Sequence, residues 1–274
     1  MPYTESFGFS VSHNAGFPLM KIGFVSDIHE DIDSLRQAFT VLERANCDIV
    51  VCLGDIVGFT LHFQKRINNR DANACIAMVR DECAAAVAGN HDLYAIRRIP
   101  QFNAGFPYRD NWYDLEYEQR ARLSRHRVWL YEDSELPTFL TDESLTFLRR
   151  LPEFLVRTYD DIPFVFSHFH YPDLSGSRID SLRKARHLRS HFSFMAEQDA
   201  VISVSGHGHP EGCALSDRNK LRFHSFGSYQ LDTTLQWIVC PCVAHTARAN
   251  GVATLDTVAR QLDVLPLGPY NNTG

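Results

Sequence analysis

Along the N-terminal part of the chain, short apolar runs repeatedly end in polar clusters. Residues 20–26 (Met-Lys-Ile-Gly-Phe-Val-Ser) predict a buried strand that runs into Asp27-Ile28-His29-Glu30-Asp31. Ile32, Leu35, Phe39 and Leu42 follow at helical spacing, with Asp31 placed to cap the helix. Residues 48–53 predict a second strand, ending at Gly54-Asp55, and residues 84–88 a third, ending at Gly89-Asn90-His91-Asp92. A helix is expected over roughly 63–82. Strands separated by helices imply a parallel or mixed sheet between helical layers. In such sheets ligands bind beyond the carboxyl ends of the strands, where each of these clusters falls.

The pattern changes at residues 100–150, which are rich in Arg, Tyr, Trp and Glu and show no strand alternation. They read as helices and loops inserted over the site, with Leu145, Leu148 and Leu151 marking a helix that ends at Leu151-Pro152. Strand patterns return at 154–158 and at 164–167, the latter ending in His168-Phe169-His170. Residues 177–196 read as a basic helix. Residues 200–205 predict a strand ending in Gly206-His207-Gly208-His209, and short runs at 221–226, 236–240, 251–255 and 260–265 predict antiparallel strands. Residues 1–19 lack periodicity and are expected to be an N-terminal extension. Residues 20–274 are expected to form a single domain, with 95–150 as a helical, cap-like insertion.

Composition narrows the function classes. The 274 residues carry 27 basic and 33 acidic side chains, a net charge of −6, which argues against a broadly basic nucleic-acid surface. No apolar run is long enough for a membrane span. The seven cysteines are odd in number and form no CxxC pair, and the N-terminus lacks a charged start followed by an apolar stretch. Both features fit a reducing, cytoplasmic setting. Cys240 and Cys242 accordingly read as buried thiols. The thirteen histidines are many for this length.

The strand-end residues Asp27, His29, Asp55, Asn90, His91, His168, His207 and His209 combine carboxylate, imidazole and amide donors, a set suited to borderline divalent metals such as Mn, Fe or Zn. The absence of sulfur argues against a structural zinc site. Each fragment alone is weak, but their order is specific. Ser26-Asp27-Ile28-His29, Gly54-Asp55-Ile56-Val57-Gly58, Gly89-Asn90-His91-Asp92, Ser167-His168 and Gly206-His207-Gly208-His209 together resemble the calcineurin-like metallophosphoesterase superfamily. The resemblance spans residues 20–266 and is greatest to its compact bacterial phosphodiesterase and diadenosine-tetraphosphatase-like branch.

That resemblance implies a four-layer α/β/β/α sandwich with two mixed sheets. It implies two divalent metal ions, manganese foremost, with Fe, Zn, Ni or Co as alternatives. Asp27, His29 and His209 would hold one, Asn90, His168 and His207 the other, and Asp55 would bridge them. His91 would serve the leaving group as general acid or cationic donor, with Asp92 a candidate to orient it. The implied activity is hydrolysis of a small, nucleotide-type phosphate ester or anhydride by metal-activated hydroxide. Alternatives are a phosphomonoesterase or protein phosphatase, and a catalytically silent metal-binding scaffold. Nucleic-acid ends stay open as substrates.

The sequence departs from the protein phosphatases, whose segment after Gly-Asp supplies a further Asp and an Arg; Val57-Gly58-Phe59-Thr60 supplies neither. The branch's Asn-Pro-Gly-Ser turn is reduced to Gly227-Ser228 behind Ser225-Phe226. His170 competes with His168 as ligand, though the motif favours His168. Within the basic stretch Arg178, Arg183, Lys184, Arg186 and Arg189, Arg178 and Arg183 are the candidates to reach substrate phosphate, against the ordinary reading of a solvated helix face. The aromatics Phe102, Phe106, Tyr108, Trp112 and Tyr113 fit packing of the insertion better than base stacking.

Overall fold

The computed structural model describes residues 20–64, 67–179 and 184–268. The N-terminal extension and Arg183 lie outside the described residues.

In chain order the strands are β1 (Lys21–Val25), β2 (Ile49–Cys52), β3 (Phe59–Thr60), β4 (Ala85–Ala86), β5 (Glu135–Leu136), β6 (Phe154–Tyr159) and β7 (Ile162–Ser167), then β8 (Ile202–Ser205), β9 (Cys213–Ser216), β10 (Leu221–His224), β11 (Gly227–Gln230), β12 (Gln236–Val239), β13 (Gly251–Asp256) and β14 (Gln261–Pro266). The helices are α1 (Ile32–Arg44), α2 (Ala72–Glu82), α3 (Asn90–Ala95), α4 (Tyr117–Ser124), α5 (Asp142–Arg150) and α6 (Arg189–Glu197). One six-stranded sheet has the order β11-β14-β13-β1-β2-β4 and a second the order β10-β9-β12-β8-β7-β6. β1, β2 and β4 run parallel, as do β7, β8 and β12. The outer strands are antiparallel, so both sheets are mixed.

The alternation of each strand decides the layers. Ile22, Phe24, Val51 and Leu53 of the first sheet pack against Phe164, Phe166, Ile202, Val204 and Ile238 of the second. The opposite face of the first sheet, with Val25, Val50 and Cys52, takes the apolar stripes of α1, α2 and α5. Val165, Trp237 and Val239 on the outer face of the second sheet take Phe192 and Met195 of α6. The result is the expected α/β/β/α sandwich, because both sheets are apolar on both faces.

Several boundaries differ from the sequence expectation. The helix expected over 63–82 starts only at α2, because Asp71 caps it by accepting from Ala74 N. Upstream, the Gln64 side chain closes a turn onto Thr60 N. The helix expected over 177–196 starts at Arg189. Asp173 accepts from the backbone N–H groups of Ser177 and Arg178, which holds these two residues in a loop. Residues 95–150 are tied into the body of the fold. α5 joins the helical layer of the first sheet through Leu148, and β5 pairs with β3. A separate cluster of Phe106, Trp112 and Val128 packs the rest of the segment, so these aromatics are structural. β9 and β11 carry no sequence alternation that announced them.

Candidate metal centre and active site

The loop after β1 is braided with the loop after β2. Asp27 N donates to the Gly54 carbonyl, Ile28 N and His29 N share the Asp55 carbonyl, and Glu30 N donates to Ile56. On the other side Val243 N and Ala244 N donate to the Ser26 and Asp27 carbonyls. Cys242 lies against the Asp27 carbonyl and the His209 ring, and both Cys240 and Cys242 are buried, free thiols. That segment thus braces the site from behind. The tight crossing places Asp27, His29, Asp55, His207 and His209 in left-handed backbone conformations (φ 55°, 47°, 54°, 63° and 42°). Non-glycine residues rarely adopt this region, and five of the candidate site residues do so here.

The folded chain brings the expected ligands together. Asp27, His29 and His209 form one group of potential metal donors and Asp55, His168 and His207 another; Asp55 also groups with His29 and His91. His29 Nε2 and His209 Nε2 are 3.3 Å apart, and His209 Nε2 lies 2.8 Å from Asp27 Oδ1. His168 Nε2 lies 2.9 Å from Asp55 Oδ2 and 3.3 Å from His207 Nδ1. His170 instead turns its Nδ1 to the Tyr171 carbonyl.

The hydrogen bonds behind these rings set which nitrogen faces inward. His29 Nδ1–H donates to the Gly58 carbonyl (2.7 Å) and His168 Nδ1–H to the Leu53 carbonyl (2.8 Å). Both Nε2 atoms are therefore directed at the centre, the arrangement that orients ligating imidazoles. The Asn90 amide donates from Nδ2 to Tyr131 Oη (3.0 Å), while its buried Oδ1 has no protein partner. Clustered lone pairs, two carboxylates and an unpartnered amide oxygen fit divalent cations. Burial opposes ionisation of Asp27 and Asp55, but His209 and His168 outweigh it and hold both carboxyls below their usual range. Burial, reinforced by His91 in one case and His168 in the other, lowers His29 and His207 to about 3.

His91 sits beside this centre. Its backbone N donates to Asp55 Oδ1 (2.9 Å), and its ring meets that of His29 edge-on at 4.9 Å. Gly58 (φ +90°) makes room for it, since a Cβ there would lie 2.5 Å from His91 Nδ1.

One expectation for an individual residue is corrected. Asp92 does not orient His91. Its carboxylate turns under the loop and accepts from the backbone N–H groups of Asp55, Ile56, Val57 and Gly89 at 2.8–3.1 Å. The backbone donors of the strand-end turn outcompete the neighbouring ring. The carboxylate that meets His91 is Glu135, whose Oε2 is 2.6 Å from His91 Nδ1. The Arg178 guanidinium donates from Nη1 to the Ala104 carbonyl at 3.4 Å, a contact with the 95–150 segment. Glu135 and Tyr131 escape sequence reasoning because both belong to a stretch without periodicity or motif.

Two mixed sheets with His and Asp donors gathered at their strand ends define a metallophosphoesterase-type sandwich. The sequence pattern of the calcineurin-like phosphoesterases matches residues 20–211, and the chain belongs to that family. A metallophosphoesterase from Sphaerobacter thermophilus is similar in structure, with a TM-score of 0.62 and 18% identity over 91% of this chain and 88% of that one. The hypothetical protein PH1004 from Pyrococcus horikoshii superposes with a TM-score of 0.56 at 12% identity over 90% of this chain and 87% of that one. An uncharacterized Methanocaldococcus jannaschii protein, MJ0912, is 31% identical over 149 residues, 54% of this chain. The chain spans 48% of that curated relative's length. Among the described residues no helix is long and apolar enough to cross a membrane.

Proposed function

We propose that this protein hydrolyses a small, nucleotide-type phosphate ester or anhydride with the help of two divalent metal ions. The observation that carries the reading is the meeting of two donor groups at the buried Asp55 carboxylate, with His91 alongside. Asp27, His29 and His209 would hold one cation, and Asn90, His168 and His207 the other. Held there, divalent cations neutralise charge on phosphate oxygens and acidify water.

The chain's own groups supply the rest. The Asp55 carboxylate has two oxygens, so one side chain can serve both sites. His91 Nδ1 is engaged by Glu135, which leaves Nε2 as the nitrogen to hand a proton to the departing oxygen. The rigid crossing of the two loops pre-aligns these groups before substrate arrives. A small substrate is favoured because β5, from the 95–150 segment, pairs with β3 and walls the His91 side of the site. Absence of an arginine at Val57–Thr60 weighs against phosphoproteins. Manganese suits the O/N donor set, and all seven cysteines are free thiols, which fits a reducing compartment.

The test is hydrolysis of a 4-nitrophenyl monoester, a bis-4-nitrophenyl diester and a dinucleoside polyphosphate by metal-stripped protein titrated with Mn²⁺. We expect metal-dependent turnover. His91→Ala should lower kcat by about 10²–10⁴-fold, the usual worth of a general acid, and leave metal stoichiometry unchanged. Absence of turnover with all three substrates in protein that binds two metals would sink the reading.

A further inference from the structure

We infer that Glu135 is the positioning residue that sets the His91 ring for proton donation, and that the chain segment Tyr131–Thr138 is a working part of the active site and not merely its cover. This rests on the hydrolase reading above.

The Glu135 side chain is only 3% exposed, and its Oε2 lies 2.6 Å from His91 Nδ1. A carboxylate so deeply buried needs a partner, and among the described residues the imidazole is the one hydrogen-bond partner of its side chain. The contact fixes two things at once: it leaves Nε2 free, and it stops the ring from turning about its Cβ–Cγ bond. The remaining contacts of the ring, edge-on to His29 at 4.9 Å and to Tyr131 at 5.0 Å, limit its tilt but not which nitrogen points outward.

Glu135 is itself held firmly. Its backbone N donates to the Tyr131 carbonyl at 2.7 Å, and β5 pairs Glu135 with Thr60 and Leu136 with Phe59. Arg70, ion-paired with the buried Glu30, donates to the Leu136 carbonyl at 3.2 Å and also to that of Pro137. Glu30 also accepts from Thr138 Oγ1 and, at 3.1 Å, from Gly58 N. Glu30 directly follows the metal-donor candidate His29, so one clasp fastens the segment to the metal loop. The same turn carries Tyr131, whose hydroxyl meets Asn90. Two groups of one short segment thus touch two adjacent site residues, Asn90 and His91.

A structural role and a positioning role for Glu135 differ in how loss depends on the leaving group. An ester leaving as 4-nitrophenolate needs little protonation; one leaving as phenolate needs much more. The experiment compares full-length, metal-loaded wild type, Glu135→Gln and Glu135→Asp on a 4-nitrophenyl/phenyl substrate pair of the preferred ester class. We expect Glu135→Gln to lower kcat on the phenyl ester by about 10²-fold and on the nitrophenyl ester by less than about 10-fold. KM, metal content and thermal midpoint should stay near wild type. Glu135→Asp should recover part of the loss. Equal losses on both esters, or none, overturn the inference.

A second readout is independent of turnover. In metal-free protein labelled with ¹⁵N-histidine, a downfield Nδ1–H proton signal should vanish in both His91→Ala and Glu135→Ala. If wild type with two metals turns over none of the three substrates named above, the hydrolase reading and the proton-donation role fail together, and this signal then reports only the Glu135–His91 contact; if wild type does turn over, persistence of the signal in Glu135→Ala overturns the positioning role.

Discussion

His168 presents Nε2 to Asp55 Oδ2 at 2.9 Å while its Nδ1–H is committed to the Leu53 carbonyl. Burial alone would strip a proton from this ring, but Asp55 outweighs it and raises the imidazolium to about 9. A proton therefore occupies, without metal, the position between two groups that would both bind a cation. Metal uptake at pH 7 should release at least one proton, and affinity should rise with pH up to about 9. Calorimetric titration in buffers of different ionisation enthalpy reads this directly; an enthalpy independent of buffer would contradict it.

Asp92 makes a contrasting prediction. Its carboxylate accepts four backbone N–H groups that nothing else satisfies once it is gone. Buried donors left unpaired cost about 1–3 kcal/mol each, with less than full additivity. Asp92→Ala should lose roughly 3 kcal/mol or more, a fall in Tm on the order of 10 °C. His91→Ala should lose less than Asp92→Ala: it strips the buried Glu135 carboxylate of its imidazole partner, but its own ring is partly exposed and holds no backbone turn. Scanning calorimetry on the two variants separates the roles.

Tyr131→Phe removes the hydroxyl that accepts from Asn90 Nδ2 and frees the amide to rotate. Loss of such an outer hydrogen bond typically costs 10–100-fold in metal affinity, roughly. We expect a weakening of that order for one of two metal equivalents, measured by competition with a chromogenic chelator. An equal effect on both equivalents would place Asn90 outside a single site.

His191 carries a pH effect remote from the centre. It is fully buried, accepts from Tyr171 N at Nδ1 and donates from Nε2 to Ser203 Oγ, both at 3.0 Å. Burial, aided by His170, holds its pKa well below the ordinary value, so the native ring stays neutral. The unfolded chain takes up a proton there below about pH 6.5, so stability should fall as pH drops, by up to about 1.4 kcal/mol per unit. His191→Gln should be less stable at pH 7 yet show a shallower decline between pH 6.5 and 5. Urea unfolding of chelator-treated protein at three pH values tests this; parallel curves would refute it.

The candidate metal donors were legible because each follows an apolar run long enough to read as a strand, and the strand ends converge in any sandwich of this topology. Asp27 and His209, 182 positions apart, could be paired by motif order before any geometry was known. Glu135 could not. Its meaning comes from a two-residue strand and from Arg70 and Glu30, whose pairing leaves no periodic trace. Asp92 was visible as a residue but misread in role, since neighbouring side chains in a helix's first turn diverge. The start of α2 was signalled by Asp71; the start of α6 has no side-chain cap to announce it.

Contacts across this centre join residues drawn from both sheets and from the 95–150 segment: Asp27 with His209, His168 with Asp55, His91 with Glu135. None of these pairs exists in any local stretch of chain. The centre is consequently a record of completed folding. Loops that long must close before either donor group is complete, so metal affinity would register the moment at which both halves of the polypeptide have found each other.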